Sequence, residues 1–235
     1  MTPWLETCRS CAADIRGVLE HLPGRVEREP VLRLGQGGDD TTAIDQAAED
    51  VVVDPIDGSV NAKRGIPFFS FSLAVAEGPA MADVVFGYVY DFGTGEEWTA
   101  ERGRGAFLGA ARLGAQLPKD ALEILSFEGT TTPAIAATIA RVTDLAARLR
   151  VMGSLALSLC HLAAGRVDGV VSLKPARSVD IAAAQLLVRE CGLAIELFDD
   201  PPFASAPLDL VTRSRVAAAG SPELVTQLGD ALRGP

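Results

Sequence analysis

Asp54 and Asp57 stand within one turn of chain in the segment DPIDGSVN (Asp54–Asn61), directly after Val51, Val52 and Val53. Two carboxylates that close repel each other unless a cation sits between them. Hard oxygen donors, water left in the shell and a substrate phosphate to complete it are the coordination habits of magnesium. The next two residues suit an anion, because Gly58 and Ser59 can turn backbone N–H groups towards a phosphate. A third carboxylate, Asp180, falls in the first turn of a helix that Ser178 is expected to cap, beside a positive helix end. Alone, Asp180 would be dipole complementarity; paired with the Asp54–Asp57 block it becomes a metal-ligand candidate. Lys174 and Arg177, with Lys63 and Arg64, flank these blocks in sequence and offer charge to a second anionic group on a substrate.

The elements that must position these groups are read from periodicity. Val51–Val53 predict a buried strand, which Pro55 stops. A helix is expected over 4–21, a strand over 31–34, a short helix from about Thr41 and another near Ser59. Strands are expected next over 69–76, 83–91 and 96–100. In the second half, helices are expected over 133–149, 154–164 and 178–191, strands over 167–173, 195–198 and 216–219, and a final helix from about Pro222. Alternating helices and strands without a linker-like stretch predict one layered α/β unit over 1–235, with an α+β half (1–120) and an α/β half (121–235).

Composition narrows the partners. With 48% hydrophobic residues in 235, the chain can bury a full core. The formal charge of −10 argues against nucleic acid or an anionic membrane as partner. No apolar run is long enough to span a bilayer, and the first residues lack a signal-peptide pattern, so a cytoplasmic location is expected. The four cysteines make no disulfide framework. Cys8 and Cys11 form a C-x-x-C, but they lie in the predicted first helix with Leu5, Ala12, Ile15 and Leu19 near one face, so burial is the expected role. Cys160 and Arg166 match the C-x5-R spacing of cysteine-dependent phosphatases, yet a helical stripe of Leu155, Leu159 and Leu162 runs through the cysteine and predicts an inert thiol. His21 is expected to serve a helix C-terminus, and Asp168 to shape a turn.

Three separated blocks in order, DPIDGSVN with GIP (Gly65–Pro67), GSLALSLCHLAAGRVDG (Gly153–Gly169), and VDIAAA (Val179–Ala184) with ECG (Glu190–Gly192), resemble the inositol monophosphatase and fructose-1,6-bisphosphatase superfamily. The resemblance covers TTAIDQAAED (Thr41–Asp50) to about residue 198, and NAKRGIPFFSFSLA (Asn61–Ala74) is most similar to the archaeal-type branch. It implies an αβαβα sandwich, a homodimer, and Mg2+-dependent hydrolysis of a small phosphorylated metabolite. By matching position, it places Asp54, the Ile56 carbonyl, Asp57 and Asp180 on the metal. It assigns Gly58 and Ser59 to the phosphate, with the Ser59 hydroxyl orienting the attacking water; Asn61, Lys174 and Arg177 complete the expected substrate-binding set.

One departure bears on chemistry. The family pattern has a strand ending in paired glutamates before the DPID block, whereas here Asp50 runs at once into Val51–Asp54. The resemblance therefore implies a shortened N-terminal region that lacks a metal-ligating glutamate; Glu49, Asp45 and Asp39 are the candidates to replace it, the other reading of each being a solvated or capping carboxylate. The expected function is a phosphatase for a sugar or inositol phosphate, inositol monophosphate or fructose-1,6-bisphosphate-like. The alternatives are a catalytically impaired relative that binds phosphorylated ligands or a partner chain, and a nucleotide 3′-phosphatase.

Overall fold

The computed structural model describes residues 3–22, 31–34, 40–42, 55–114, 121–129 and 131–233. It begins with α1 (Pro3–His21), then the antiparallel pair β1 (Val31–Leu34) and β2 (Asp40–Thr42), then the short helix α2 (Ser59–Arg64). A five-stranded antiparallel meander comes next: β3 (Ser70–Ala76), β4 (Val84–Asp91), β5 (Glu97–Glu101), β6 (Gly105–Leu108) and β7 (Ala111–Arg112). The second half contains β8 (Leu122–Glu128), α3 (Thr132–Thr138), β9 (Ala146–Arg150), α4 (Leu155–Ala163), β10 (Gly169–Ser172), β11 (Ala176–Arg177) and α5 (Ser178–Glu190). It closes with β12 (Ala194–Leu197), β13 (Arg213–Ser214), β14 (Val216–Ala219) and α6 (Pro222–Arg233). The second five-stranded sheet has the order β12-β14-β10-β8-β9, with β8 parallel to both β10 and β9.

Side-chain alternation stacks these pieces. Along β4, Phe86, Tyr88 and Tyr90 fall on one face, where they pack with Cys8, Ala12, Ile15 and Leu19 of α1. On the other face Val89 joins a core built from α4, α5 and both sheets. Beyond the second sheet, Leu125, Phe127, Val171 and Ala217 pack against Leu224, Val225 and Leu228 of α6. The order is therefore helix, sheet, paired helices, sheet, helix, the expected αβαβα sandwich. No helix among the described residues is long and apolar enough to cross a membrane.

Four expectations need correction. The helix expected over 133–149 is α3, a 3-10 turn over Ile139–Val142, and then β9. Ala146, Ala147, Leu149 and the arginines favour helix locally, but pairing with β8 overrides that preference. The chain at Thr41 is strand β2, paired with β1, where a helix is expected from the sequence. Strands β6, β7, β8, β11 and β13 are additional to the expected set. Finally, Ser178 does not cap α5. The N-cap is Arg177, and the Ser178 hydroxyl donates instead to the Asp209 carbonyl. The strand expected over Val51–Val53 lies outside the described residues.

Candidate active site

The DPIDG turn is pinned by its own backbone. Asp57 N donates to Ser70 O at 2.8 Å and Ser70 N returns to Asp57 O at 2.9 Å, clamping the turn to the first residue of β3. Gly58 then adopts φ 91°, a region that costs most L residues dearly. A Cβ there would lie 3.0 Å from the Gly153 carbonyl and 3.1 Å from that of Phe68. Only glycine lets the chain turn into α2 at this distance from the 153 bend. Asn61 fastens the same junction, donating through Nδ2 to Phe68 O at 2.8 Å and Met152 O at 2.7 Å.

Asp57 is held by one oxygen. The Ser154 hydroxyl donates to Oδ2 at 2.6 Å, and the Ala156 amide donates to the same oxygen at 2.8 Å. Ser154 is also the N-cap of α4, accepting from Leu157 N at 3.3 Å, so one hydroxyl both starts the helix and fixes the carboxylate. Both of these donors sit on Oδ2, and among the described residues none sits on Oδ1. Burial, then the charge of Asp180, push the Asp57 carboxyl up to about 7, against the pull of Ser154 and Ala156; Glu128 adds a smaller upward push.

Asp180 projects from the first turn of α5. Its Oδ2 accepts from Arg177 N at 2.9 Å, and its Oδ1 pairs with Arg177 Nη2 at 2.9 Å. Asp57 and Asp180 line one cleft of about 270 Å³, together with Ile56, Gly58, Ser59, Glu128, Lys174, Arg177 and Arg213. It opens where β8 and β10, a parallel pair, end, the usual ligand position for such sheets. The β11–β13 pair brings Arg213 opposite Arg177.

Ile56, Asp57, Gly58, Ser59, Lys174, Arg177 and Asp180, scattered over more than a hundred residues of chain, thus meet. Asn61 is the exception: it does not line the cleft, and its buried amide is spent on two backbone carbonyls instead of a substrate. Lys63 and Arg64 end α2 and do not line the cleft either. Asp54, Asp45, Glu49 and Asp39 lie outside the described residues. Sequence reasoning missed Glu128, Ser154 and Arg213. Glu128 is a carboxylate at a strand end just before a glycine, much as Asp57 precedes Gly58, and that pattern was its available signal. Ser154 was visible only as the first residue of the helix expected over 154–164.

Hard carboxylate oxygens, with Asp57 burdened by burial and by a neighbouring acid, suit a divalent cation such as Mg2+. Elsewhere, Asp91, Glu96 and His161 bring potential ligand atoms within 4.8 Å of one another. Their carboxylates are already engaged: Glu96 accepts from Arg166 at 2.6 Å, and Asp91 accepts from Gly93 N at 2.7 Å and Thr94 Oγ1 at 2.8 Å. The same pairing removes Arg166 from any C-x5-R loop, and Cys160 is wholly buried inside α4. Asp168, expected to shape its own turn, instead accepts from Glu123 N and Ile124 N of β8, both at 2.9 Å, and so ties the start of β10 to that strand. His21 donates to Gly17 O at 2.6 Å, closing α1.

Comparison with known proteins accords with this architecture. Residues 18–232 match the model of the inositol monophosphatase family. A relative from Methanothermobacter thermautotrophicus, named fructose-1,6-bisphosphatase/inositol-1-monophosphatase, is 35% identical over 88% of this chain and 75% of its own length. An inositol-1-monophosphatase of Rhizobium meliloti is 34% identical over 77% of this chain and 71% of its own. Among solved structures, one described as an inositol monophosphatase–fructose 1,6-bisphosphatase superposes with a TM-score of 0.84 at 24% identity, covering 98% of this chain and all of that one. The chain belongs to the inositol monophosphatase family.

Proposed function

We propose that this chain is a Mg2+-dependent phosphomonoesterase for a small sugar or inositol phosphate. The observation that carries the reading is the Asp57–Asp180 pair: two acids line one cleft, where burial first and the charge of Asp180 second push Asp57 up to about 7, while positive side chains line the same cleft. Arg177 offsets Asp180, but among the described residues Asp57 has only neutral donors, so the acid side has room for a cation while the other side is furnished for an anion. The names of the family relatives, phosphatases of inositol and fructose phosphates, support the same class.

In this reading Asp57 and Asp180 hold the ion, joined by the Ile56 carbonyl and Asp54. Magnesium, when bound, polarises the phosphate and the water that attacks it. The chain's residues do the rest. Gly58 and Ser59 receive the phosphate, the Ser59 hydroxyl orients the water, and Lys174, Arg177 and Arg213 balance the charge of the substrate. Phosphate release from inositol 1-phosphate, fructose 1,6-bisphosphate and a nucleoside 3′-phosphate, with and without Mg2+, tests this. Release should require Mg2+ and vanish in Asp57→Asn with the fold intact. Metal-independent release, or a fully active Asp57→Asn, would refute the proposal.

A further inference from the structure

Glu128 stands at the end of β8 with 1% of its surface exposed, yet it lines the cleft beside Asp57 and Asp180. Its hydrogen-bond donors among the described residues are neutral. Oε1 accepts from Ser158 Oγ at 2.6 Å, with Ser126 Oγ at 2.9 Å, and Oε2 accepts from Gly153 N at 2.8 Å. Burial pushes this carboxyl upwards, so its ionised form is costly where it sits.

The Gly153 bond matters because of the neighbouring serine. Gly153 precedes Ser154, whose hydroxyl, with the Ala156 amide, holds Asp57 Oδ2. The bend is gripped from the other side by Asn61, which donates to Met152 O. Glu128 and Asn61 thus clasp residues 152–153 between them, and the next residue delivers the hydroxyl that orients Asp57. The serines at the other Glu128 oxygen anchor this clasp to β8 and to α4, where Ser158 sits one turn beyond Ser154. We propose that Glu128 is a positioning residue for the metal site: it acts through Gly153 and Ser154 to aim Asp57 at the ion. This rests on the proposed metal dependence. The role requires reach, since an acceptor one methylene shorter cannot span from β8 to the Gly153 amide without moving the bend.

Two variants separate reach from charge. Glu128→Asp keeps the charge and shortens the arm. Glu128→Gln keeps the arm, turning its oxygen to Gly153 N–H and its NH2 to the serine hydroxyls, which can rotate to accept. Each is titrated with Mg2+ by calorimetry in the absence of substrate, with circular dichroism and a thermal melt to establish that it is folded. Glu128→Asp should weaken Mg2+ binding by about 10-fold or more, the usual cost of disturbing a group that orients a metal ligand, and Glu128→Gln should stay within about 3-fold of wild type. Ser154→Ala should match Glu128→Asp, and combining the two should add less than about 2-fold, because both break one chain of contacts.

A purely structural Glu128 would change the melt and leave Mg2+ affinity alone, which overturns the proposal. The reverse pattern, with Asp tolerated and Gln impaired, shows that charge is what the site uses and also overturns it, as does full additivity with Ser154→Ala. Wild-type protein that takes up no Mg2+ refutes the proposed function and this inference with it.

Discussion

A proton and a magnesium ion should compete for Asp57. The perturbation is pH, and the magnitude comes from the site. With the carboxyl at about 7, only about one-tenth of it is ionised at pH 6 and about nine-tenths at pH 8. If the ion binds the carboxylate form, apparent Mg2+ affinity should rise about tenfold between those values, or ~1.4 kcal/mol, and nearly one proton should leave per ion at pH 6. In the metal-free protein the same group makes stability run the other way. The folded state holds a proton that the unfolded chain, with an ordinary carboxyl near 3.8, has lost. The stability that Asp57 contributes is thus fully present below 3.8 and is lost as pH rises through about 7. Glu128, raised by its own burial, adds in the same direction. Calorimetric titration in two buffers of different protonation enthalpy counts the protons released, and thermal melts with EDTA track the stability. A flat Mg2+ affinity from pH 6 to pH 8 with no buffer dependence would refute the reasoning, because it would mean that Asp57 is already fully ionised without the metal.

Three other outcomes are expected. Gly87→Ala would place a Cβ 2.5 Å from the Ala183 carbonyl of α5, so the helix that carries Asp180 must shift; denaturant unfolding should show a loss of about 1–3 kcal/mol, and an unchanged midpoint would contradict the packing described. Cys160 is buried and its thiol raised well above the ordinary range by that burial, so iodoacetamide should leave native phosphate release intact, and loss of activity in step with Cys160 labelling would revive a thiolate mechanism. Lys174→Ala should raise KM for a bisphosphate more than for a monophosphate, with kcat little changed, since an exposed cation at the cleft binds charge that does not react; equal effects on both esters would remove it from that role.

Where local pattern and tertiary packing agree, the sequence alone is a good guide. The stripe of Cys8, Ala12, Ile15 and Leu19 forms the buried face of α1, and the paired segments over 69–76 and 83–91 form β3 and β4. Where they conflict, it is not. Residues 146–150 carry helix-favouring side chains but lie at the sheet edge beside β8, so a parallel pairing that no local window contains decides their form. Strand β8 itself is hard to read, and with it Glu128, because LEILSFE mixes apolar, acidic and hydroxyl residues according to which layer each one meets. Ile124 packs towards the paired helices and Leu125 and Phe127 towards α6, while Ser126 and Glu128 share the Ile124 side of the pleat. A polar pair on the inward face of a strand reads as a weakened strand when taken alone. Beside Ser158, Gly153 and Asp57 the same pair has a reason, and that reason requires α4 to be packed across the sheet. The acids that could meet a metal directly were legible because their spacing is local or their helix turn is recognisable. The groups that hold them still were not, since each belongs to a different element and their agreement exists only once the layers have closed.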